Sequence, residues 1–374
     1  MTGRLMTARF TRLAASLPAT VPFVGPETQE RERGRPFAAR IGANENIFGP
    51  SPKAVAAMRA VAGDVWMYGD PLAYDLRHAL ADHLSIPPEA IMIGEGIDGL
   101  LGLTVRLFVE PGDAVVTSAG AYPTFNYHVA GFAGRLECVP YRDDAEDPAA
   151  LAEAARTQDA RLVYLANPDN PMGSWNDAGV VTAMLERLPD GTLLCLDEAY
   201  LEFAPEGTAP PIDVSDTRLL RFRTFSKAYG LAGLRVGYVI GHPDLIAGFD
   251  RIRNHFGVNR MAQAAALAAL ADREYLGQVL RRVDESRERI AGLAAENGLA
   301  TLPSATNFVA IDCGADGDFA RAVLAALIAR DVFVRMPGVA PMDRCIRVSA
   351  GTEREMEILA RTLPEALAEA RERA

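Results

Sequence analysis

Lysine is nearly absent from this chain of 374 residues: Lys53 and Lys227 stand alone, and arginine supplies the rest of the 38 basic side chains. Any chemistry that needs a lysine amine therefore has two candidates. Cysteine is sparse too. Cys138, Cys195, Cys313 and Cys345 lie far apart without C-x-x-C spacing, which points to reduced thiols in a cytoplasmic protein rather than a disulfide framework. The histidines do not cluster, and His78 and His83 are spaced off a common helix face, so no metal site is expected. Positive charge is also short. The 49 acidic side chains leave a net charge of −11, which argues against nucleic acid or an anionic membrane as a partner. Long hydrophobic runs are missing: the longest stretch without Asp, Glu, Lys or Arg, Ala114 to Gly134, is interrupted by Gly, Pro, Asn, Ser and Thr and does not read as a membrane helix.

What is present is ordinary globular composition, 49% hydrophobic and 23% charged. At roughly 150 residues per domain, the length suggests two to three domains. The first twenty residues hold Arg4, Arg9 and Arg12 and no acid, and read as an N-terminal arm rather than a targeting segment. Ser51-Pro52 and Asp70-Pro71 each look like a helix cap followed by a first-turn proline. Continuously apolar runs follow at Ala90–Ile93, Ala114–Thr117, Leu162–Ala166, Leu193–Leu196, Leu219–Phe222 and Val236–Ile240, as expected of strands covered on both faces. Helical segments separate most of them, which gives an α/β fold with a mostly parallel sheet and ligands at the carboxyl ends of its strands. After about Asp250 the pattern changes to Ala-rich and Arg/Glu-rich helices and shorter strands, a smaller α+β domain. The expected division is an arm (1–40), a large domain (41–250) and a small domain (251–374). Thr352-Glu353-Arg354-Glu355 matches a capping box opening the last helix.

Several segments could carry chemistry. Lys227 lies in TFSKAYGLAGLRVGY, where Thr224, Ser226 and Arg235 offer hydroxyls and a guanidinium to an anion, and small residues allow close backbone approach. Asp197 ends the apolar run LLCLDEAY; a carboxylate there either caps the next turn or meets a protonated heterocyclic nitrogen, with Tyr200 supplying a phenol. NPDNPMG is a rigid turn, and its Asn170 is more than the turn requires. GEGIDGL joins a strand to a helix whose first amides, at Gly96, Ile97 and Asp98, form a natural phosphate site, yet it lacks the third glycine of a dinucleotide fingerprint. Phe125 in AYPTF is either core or an aromatic that stacks on a ligand. Arg347 in CIRVSAGT needs an anion if it is buried, either an internal acid or a substrate carboxylate.

Taken in order, NENIFGPSP, YGDP, GEGIDGL, PTF, NPDNPMG, DEAY, SKAYGLAGLRVGY and IRVSAGT resemble the fold-type I pyridoxal-phosphate aminotransferases of the histidinol-phosphate aminotransferase-like branch, over about Ala43 to Thr352. The resemblance implies a homodimer with shared sites and pyridoxal 5′-phosphate held by Lys227 as a Schiff base. It implies that Asp197 keeps the ring nitrogen protonated, that Tyr200 and Asn170 bind the phenolic oxygen, and that Phe125 stacks on the ring. Gly96, Ile97, Asp98, Thr224, Ser226 and Arg235 then hold the phosphate, and Tyr68 reaches the phosphate of the neighbouring subunit. Arg347 clamps a substrate carboxylate with Asn46 nearby, Arg335 meets a distal substrate phosphate, and Phe23 lies toward the substrate.

The implied reaction moves an amino group from histidinol phosphate or an L-amino acid to a 2-oxo acid such as 2-oxoglutarate, in ping-pong order with Lys227 as the base. Departures from the branch concern the substrate. Phe23 stands where a tyrosine commonly reaches the substrate phosphate, Ile97 and Gly99 replace a serine and a glutamate, and Met172 replaces a threonine. A decarboxylase of a phosphothreonine-like amino acid is the alternative on the same framework. A non-catalytic cofactor-binding module is a third, opposed by the acidic charge and by the complete set of cofactor residues.

Overall fold

Seven strands form the central sheet of the computed structural model, which describes residues 9–19 and 24–373. In chain order they are β1 (Ile91–Gly94), β2 (Ala114–Ser118), β3 (Arg135–Val139), β4 (Leu162–Ala166), β5 (Leu193–Asp197), β6 (Leu219–Thr224) and β7 (Gly237–Ile240). Across the sheet they lie in the order β1-β7-β6-β5-β4-β2-β3. The pairings among β2 to β6 are parallel, whereas β7 runs antiparallel to both β6 and β1. Six of these strands coincide with the apolar runs of the sequence. The seventh, β3, escapes that pattern because it is an edge strand whose Arg135 and Cys138 face solvent, so it has no need of a continuous apolar run.

Alternate residues of the inner strands face opposite sides, and each side has its own cover. Val115, Tyr164, Cys195 and Phe222 pack with the helices Gly96–Phe108 and Pro123–Gly131; Val116, Leu165 and Leu196 pack with Pro148–Gln158 and Ala178–Arg187. Near β1 and β7, alanines of the helix Arg260–Ala271 close against the helices Pro52–Val61 and Tyr74–Leu84. A second core lies over an antiparallel sheet of Ala300–Thr301, Phe308–Asp312 and Cys345–Ser349, flanked by the helices Arg273–Glu296, Gly317–Ala329 and Glu353–Arg373. The segment Ala39–Arg40 pairs in parallel with Val332–Phe333, so the chain before the large sheet is fastened to this second core.

Local signals hold at Ser51, whose hydroxyl accepts from the amides of Lys53 and Ala54 at the helix start. At Asp70 the outcome differs from the sequence pattern. Its carboxylate accepts from Leu72 and Tyr74 amides, but Ala73 adopts a left-handed backbone (φ 45°), and the helix begins only at Tyr74. Thr352 and Glu355 form the glutamate half of the capping box, with the Thr352 amide 3.2 Å from Oε2. No helix among the described residues is long and apolar enough to cross a membrane, and no group of three or more metal-ligating side chains gathers among them.

Candidate active site

The carboxyl ends of the parallel strands surround a cavity of about 260 Å³. Asp197 is the last residue of β5 and Thr224 the last of β6, with Ser226 and Lys227 in the loop beyond. The helix after β1 brings Ile97 and Asp98, the turn after β4 brings Asn170, and the segment after Ala39–Arg40 brings Ala43 and Glu45. Residues more than 180 positions apart thus meet because parallel strands end on one side.

Asp197 forms the floor. Its Oδ1 accepts from the Ala199 amide at 2.9 Å and its Oδ2 from the phenol of Tyr164 at 2.7 Å. Burial pushes the carboxyl up to about 6; the Tyr164 phenol, the Ala199 amide and the charge of Lys227 pull the other way. The carboxylate that caps a turn and the carboxylate that faces a ligand are here the same group, since one oxygen serves Ala199 while the side chain lines the cavity.

The Lys227 amine donates to the backbone oxygen of Asn44 at 3.1 Å and lies 5.4 Å from the Tyr200 ring centre. Burial lowers it to about 8, helped by the positive charges of Arg347 and Arg235 and opposed by Glu45 and Asp197. Lys53, the other lysine, pairs at the surface with Asp272. Tyr200 accepts a 3.0 Å hydrogen bond from the Asn44 amide, and burial raises its phenol to about 12.

Around Arg235, donors converge. Arg235 takes a left-handed backbone (φ 56°), and its guanidinium reaches the Ser226 hydroxyl at 3.4 Å. Thr224 accepts from the Ser226 amide. Gly96 (φ 77°) begins the helix, and a Cβ there would lie 2.5 Å from Arg235 Nη2; only glycine lets the guanidinium approach. The amides of Ile97 and Asp98 fall in the first turn, where a helix has no internal acceptors for them.

Arg347 is threaded through the antiparallel sheet opposite Ala310 and donates to Asn170 Oδ1. Its Nε is buried with no protein partner, and burial lowers the guanidinium to about 10. Such a group calls for an anion. Arg335 shares a backbone bridge with Arg347, and its own guanidinium donates to the Val24 oxygen at 3.0 Å, tying the arm across this side.

Phe125 and Asn46 are turned away from this cavity, and Tyr68, expected at the neighbouring subunit's phosphate, lies off it as well. Phe125 is wholly buried and stacks on Tyr164, 4.6 Å between ring centres, in the core beneath the site; Tyr122, at the start of the same helix, lines the cavity in its place. Both polar atoms of the Asn46 side chain serve the backbone, Nδ2 donating to Ala228 and Oδ1 accepting from Phe48. Tyr68 is exposed and packs on Phe256, away from this chain's own cavity. Phe23 lies outside the described residues. Asn44, Glu45, Tyr122 and Tyr164 are the site residues that sequence reasoning missed. NENIFGPSP pointed to the right segment but not to its first asparagine, and Tyr164 is one apolar-looking position among five in β4.

A mostly parallel sheet with a buried lysine, a buried carboxylate and an anion cradle at its strand ends defines a fold-type I α/β enzyme. The family description "Aminotransferase class I and II" matches residues 39–363, and the chain belongs to that family. It is 34% identical over 357 residues to a histidinol-phosphate aminotransferase of Moorella thermoacetica (94% of this chain, 92% of that one). It is 38% identical over 334 residues to histidinol-phosphate aminotransferase 2 of Ralstonia nicotianae (88% and 89%). The crystal structure of a histidinol-phosphate aminotransferase from Sinorhizobium meliloti in complex with pyridoxal-5′-phosphate is similar at 55% identity, with a TM-score of 0.95 over 99% of this chain and 100% of that one. The expected α/β fold and aminotransferase class are both met.

Proposed function

We propose that this aminotransferase uses pyridoxal 5′-phosphate to move the amino group of histidinol phosphate to a 2-oxo acid such as 2-oxoglutarate. The observation that carries the reading is the buried Lys227 amine, which lines one cavity with the carboxylate of Asp197 and the donors around Arg235. These groups fit the cofactor at each polar corner: an amine for its aldehyde, a carboxylate for its ring nitrogen, and hydroxyls, amides and a guanidinium for its phosphate. The names of the relatives, one of them 55% identical with the cofactor bound, support both the cofactor and the donor.

When bound, the cofactor supplies a protonated ring that withdraws electrons from the substrate carbon. Asp197 holds the proton on the ring nitrogen. Tyr200 and Asn170 would hold the phenolic oxygen, and Tyr122, which lines the cavity where Phe125 does not, would supply the aromatic contact. Gly96, Ile97, Asp98, Thr224, Ser226 and Arg235 hold the phosphate. The Nζ of Lys227, lowered to about 8, would take the substrate's α-proton and hold it for return. Arg347 receives the carboxylate of the oxo acid, and Arg335 meets the distal phosphate of the donor.

The same proposal includes a homodimer in the cytoplasm, divided as arm, large domain and small domain. Val65, Trp66, Tyr68, Leu72 and Tyr74 expose apolar side chains within one stretch of sequence, and Phe256 packs on Tyr68 beside them, which suits a subunit interface. The four cysteines are free, which suits a reducing compartment. A second reading, an L-amino acid as donor, is favoured by Phe23, which has no hydroxyl for a substrate phosphate. The decarboxylase alternative gains no support from the relatives named above.

The test is the absorbance of the holoenzyme as histidinol phosphate, phenylalanine, tyrosine, glutamate and phosphothreonine are added singly. Histidinol phosphate should convert the cofactor to its amine form, and a 2-oxo acid should reverse the change. Conversion by phenylalanine or tyrosine but not by histidinol phosphate would establish the second reading. Carbon dioxide release from phosphothreonine would restore the decarboxylase.

A further inference from the structure

Beside Asn170, two acids are buried with no ion pair of their own among the described residues. Glu146, just before the helix Pro148–Gln158, is 3% exposed, and Asp169, in the NPDNPMG turn, is 1% exposed. All four carboxyl oxygens already accept. Glu146 takes the Ser118 hydroxyl at 2.6 Å and the Ala166 amide at 3.1 Å; Asp169 takes the Tyr141 hydroxyl at 2.7 Å and the Met172 amide at 3.0 Å. Each acid also acts directly on the titration of the other through a side-chain contact. A carboxylate–carboxylate contact of that kind requires a proton, because neither anion has one to donate.

The groups that face the pair come from every element around it. Tyr141 and Ser118 are neutral donors, Tyr164 senses Glu146 from β4, and Tyr200 senses Asp169 from across the cavity. The positive charge of Arg347 acts on Asp169, but its hydrogen bond goes to the next residue, Asn170. Burial and the charge of Asp169 hold Glu146 protonated well above the usual carboxylate range, and burial pushes Asp169 up to about 6. The proton belongs to the pair rather than to one acid.

We propose that Glu146 and Asp169 share one proton and through it fix the turn that carries Asn170, so that Glu146 is a positioning residue for the Asn170–Arg347 clamp. The chain of contacts is short. Glu146 anchors the end of β4 through the Ala166 amide and the turn through Asp169; Asp169 also closes the turn on itself through Met172, Gly173 and Ser174. Asn170 is the next residue, and its amide oxygen sets where the Arg347 guanidinium points. Removal of the shared proton sets two buried carboxylates against each other under the turn and costs it the contact that fixes Asn170. The proposal rests on the reading of Arg347 as the receiver of the substrate carboxylate.

The experiment uses holoenzyme of the wild type, Glu146→Gln, Glu146→Ala and Arg347→Ala. Glutamine puts a permanent N–H where the shared proton lies, whereas alanine leaves Asp169 buried alone. Glu146→Ala should raise KM for 2-oxoglutarate roughly tenfold or more with a smaller change in kcat, and Glu146→Gln should restore most of that loss. In the infrared difference between wild type and Glu146→Gln at neutral pH, a protonated-carboxyl stretch should appear in the wild type alone. No such band, an unchanged KM in Glu146→Ala, or a Glu146→Gln as impaired as the alanine variant each overturns the proposal. Should Glu146→Ala fail to fold, the infrared comparison decides by itself. Arg347→Ala separates the two readings: if it leaves KM for 2-oxoglutarate unchanged, the clamp assignment falls, while the infrared band still reports the shared proton.

Discussion

The phenol of Tyr164 donates to Oδ2 of Asp197 across 2.7 Å, joining β4 to β5 at the floor of the cavity, and the same ring stacks on Phe125. The bond stabilises the ionised form of a carboxyl that burial otherwise raises to about 6.

Tyr164→Phe keeps the ring stack and removes only the donor. Asp197 must be ionised to act, so activity falls as pH drops through its folded value, and loss of the phenol moves that limb to higher pH. A hydrogen bond to a charged group is worth about 1.5–3 kcal/mol, which lifts the limb by about 1–2 pH units, so kcat/KM near neutral pH should fall roughly twofold to fifteenfold. Pre-steady-state rates over a pH series check this; an acidic limb that does not move would remove Tyr164 from the site.

Lys227→Met should abolish amino transfer while stabilising the cofactor-free protein. The lysine is held at about 8 in the fold against an ordinary value of 10.5, so the folded state binds fewer protons than the unfolded chain between those values. The resulting loss of stability is fully present below about pH 8 and disappears as pH rises past about 10.5, and it amounts to about 3 kcal/mol. Thermal melts of the cofactor-free pair at neutral and alkaline pH should show a Tm gap that closes in alkali. Near-normal turnover in Lys227→Met would overturn the active-site assignment itself.

Gly96→Ala strikes the anion cradle alone. The added methyl meets Arg235 Nη2 at 2.5 Å, and a left-handed backbone costs an L-residue about 1–2 kcal/mol. Affinity for pyridoxal 5′-phosphate should drop at least about tenfold, given a displaced guanidinium. Equilibrium titration with the cofactor measures it, and unchanged affinity would place the phosphate elsewhere.

Trp66 and Tyr68 are 79% and 75% exposed, more than large aromatics ordinarily are on a lone subunit. The double substitution Trp66→Glu and Tyr68→Glu should give a monomer in sedimentation velocity and lose most activity. A dimer that persists with full activity would move the interface to another face.

Much of the site was legible because its residues punctuate the sequence. Asp197 interrupts an apolar run, Lys227 is one of two lysines, and Gly96 and Asn170 sit in turns more elaborate than a connection needs. Residues that look like their surroundings were not legible. Tyr164 is an aromatic among apolar strand residues, and Asn44 differs from Asn46 only in which one the backbone consumes. Phe125 and Tyr122 begin the same helix, and a packing contact with Tyr164, not composition, decides which of them reaches the cavity.

The amino-acid order alone determined the alternation of strands and helices, because strands covered on both faces need continuous apolar runs, and it determined which amine and which acid were available. Tertiary structure decided everything that depends on distance. Parallel strands ending on one side brought Asp197, Lys227 and Asn170 to one cavity, and burial there moved the acid up to about 6 and the amine down to about 8. A pattern of residue types carries no dielectric and no neighbours, and those two quantities make a lysine a base.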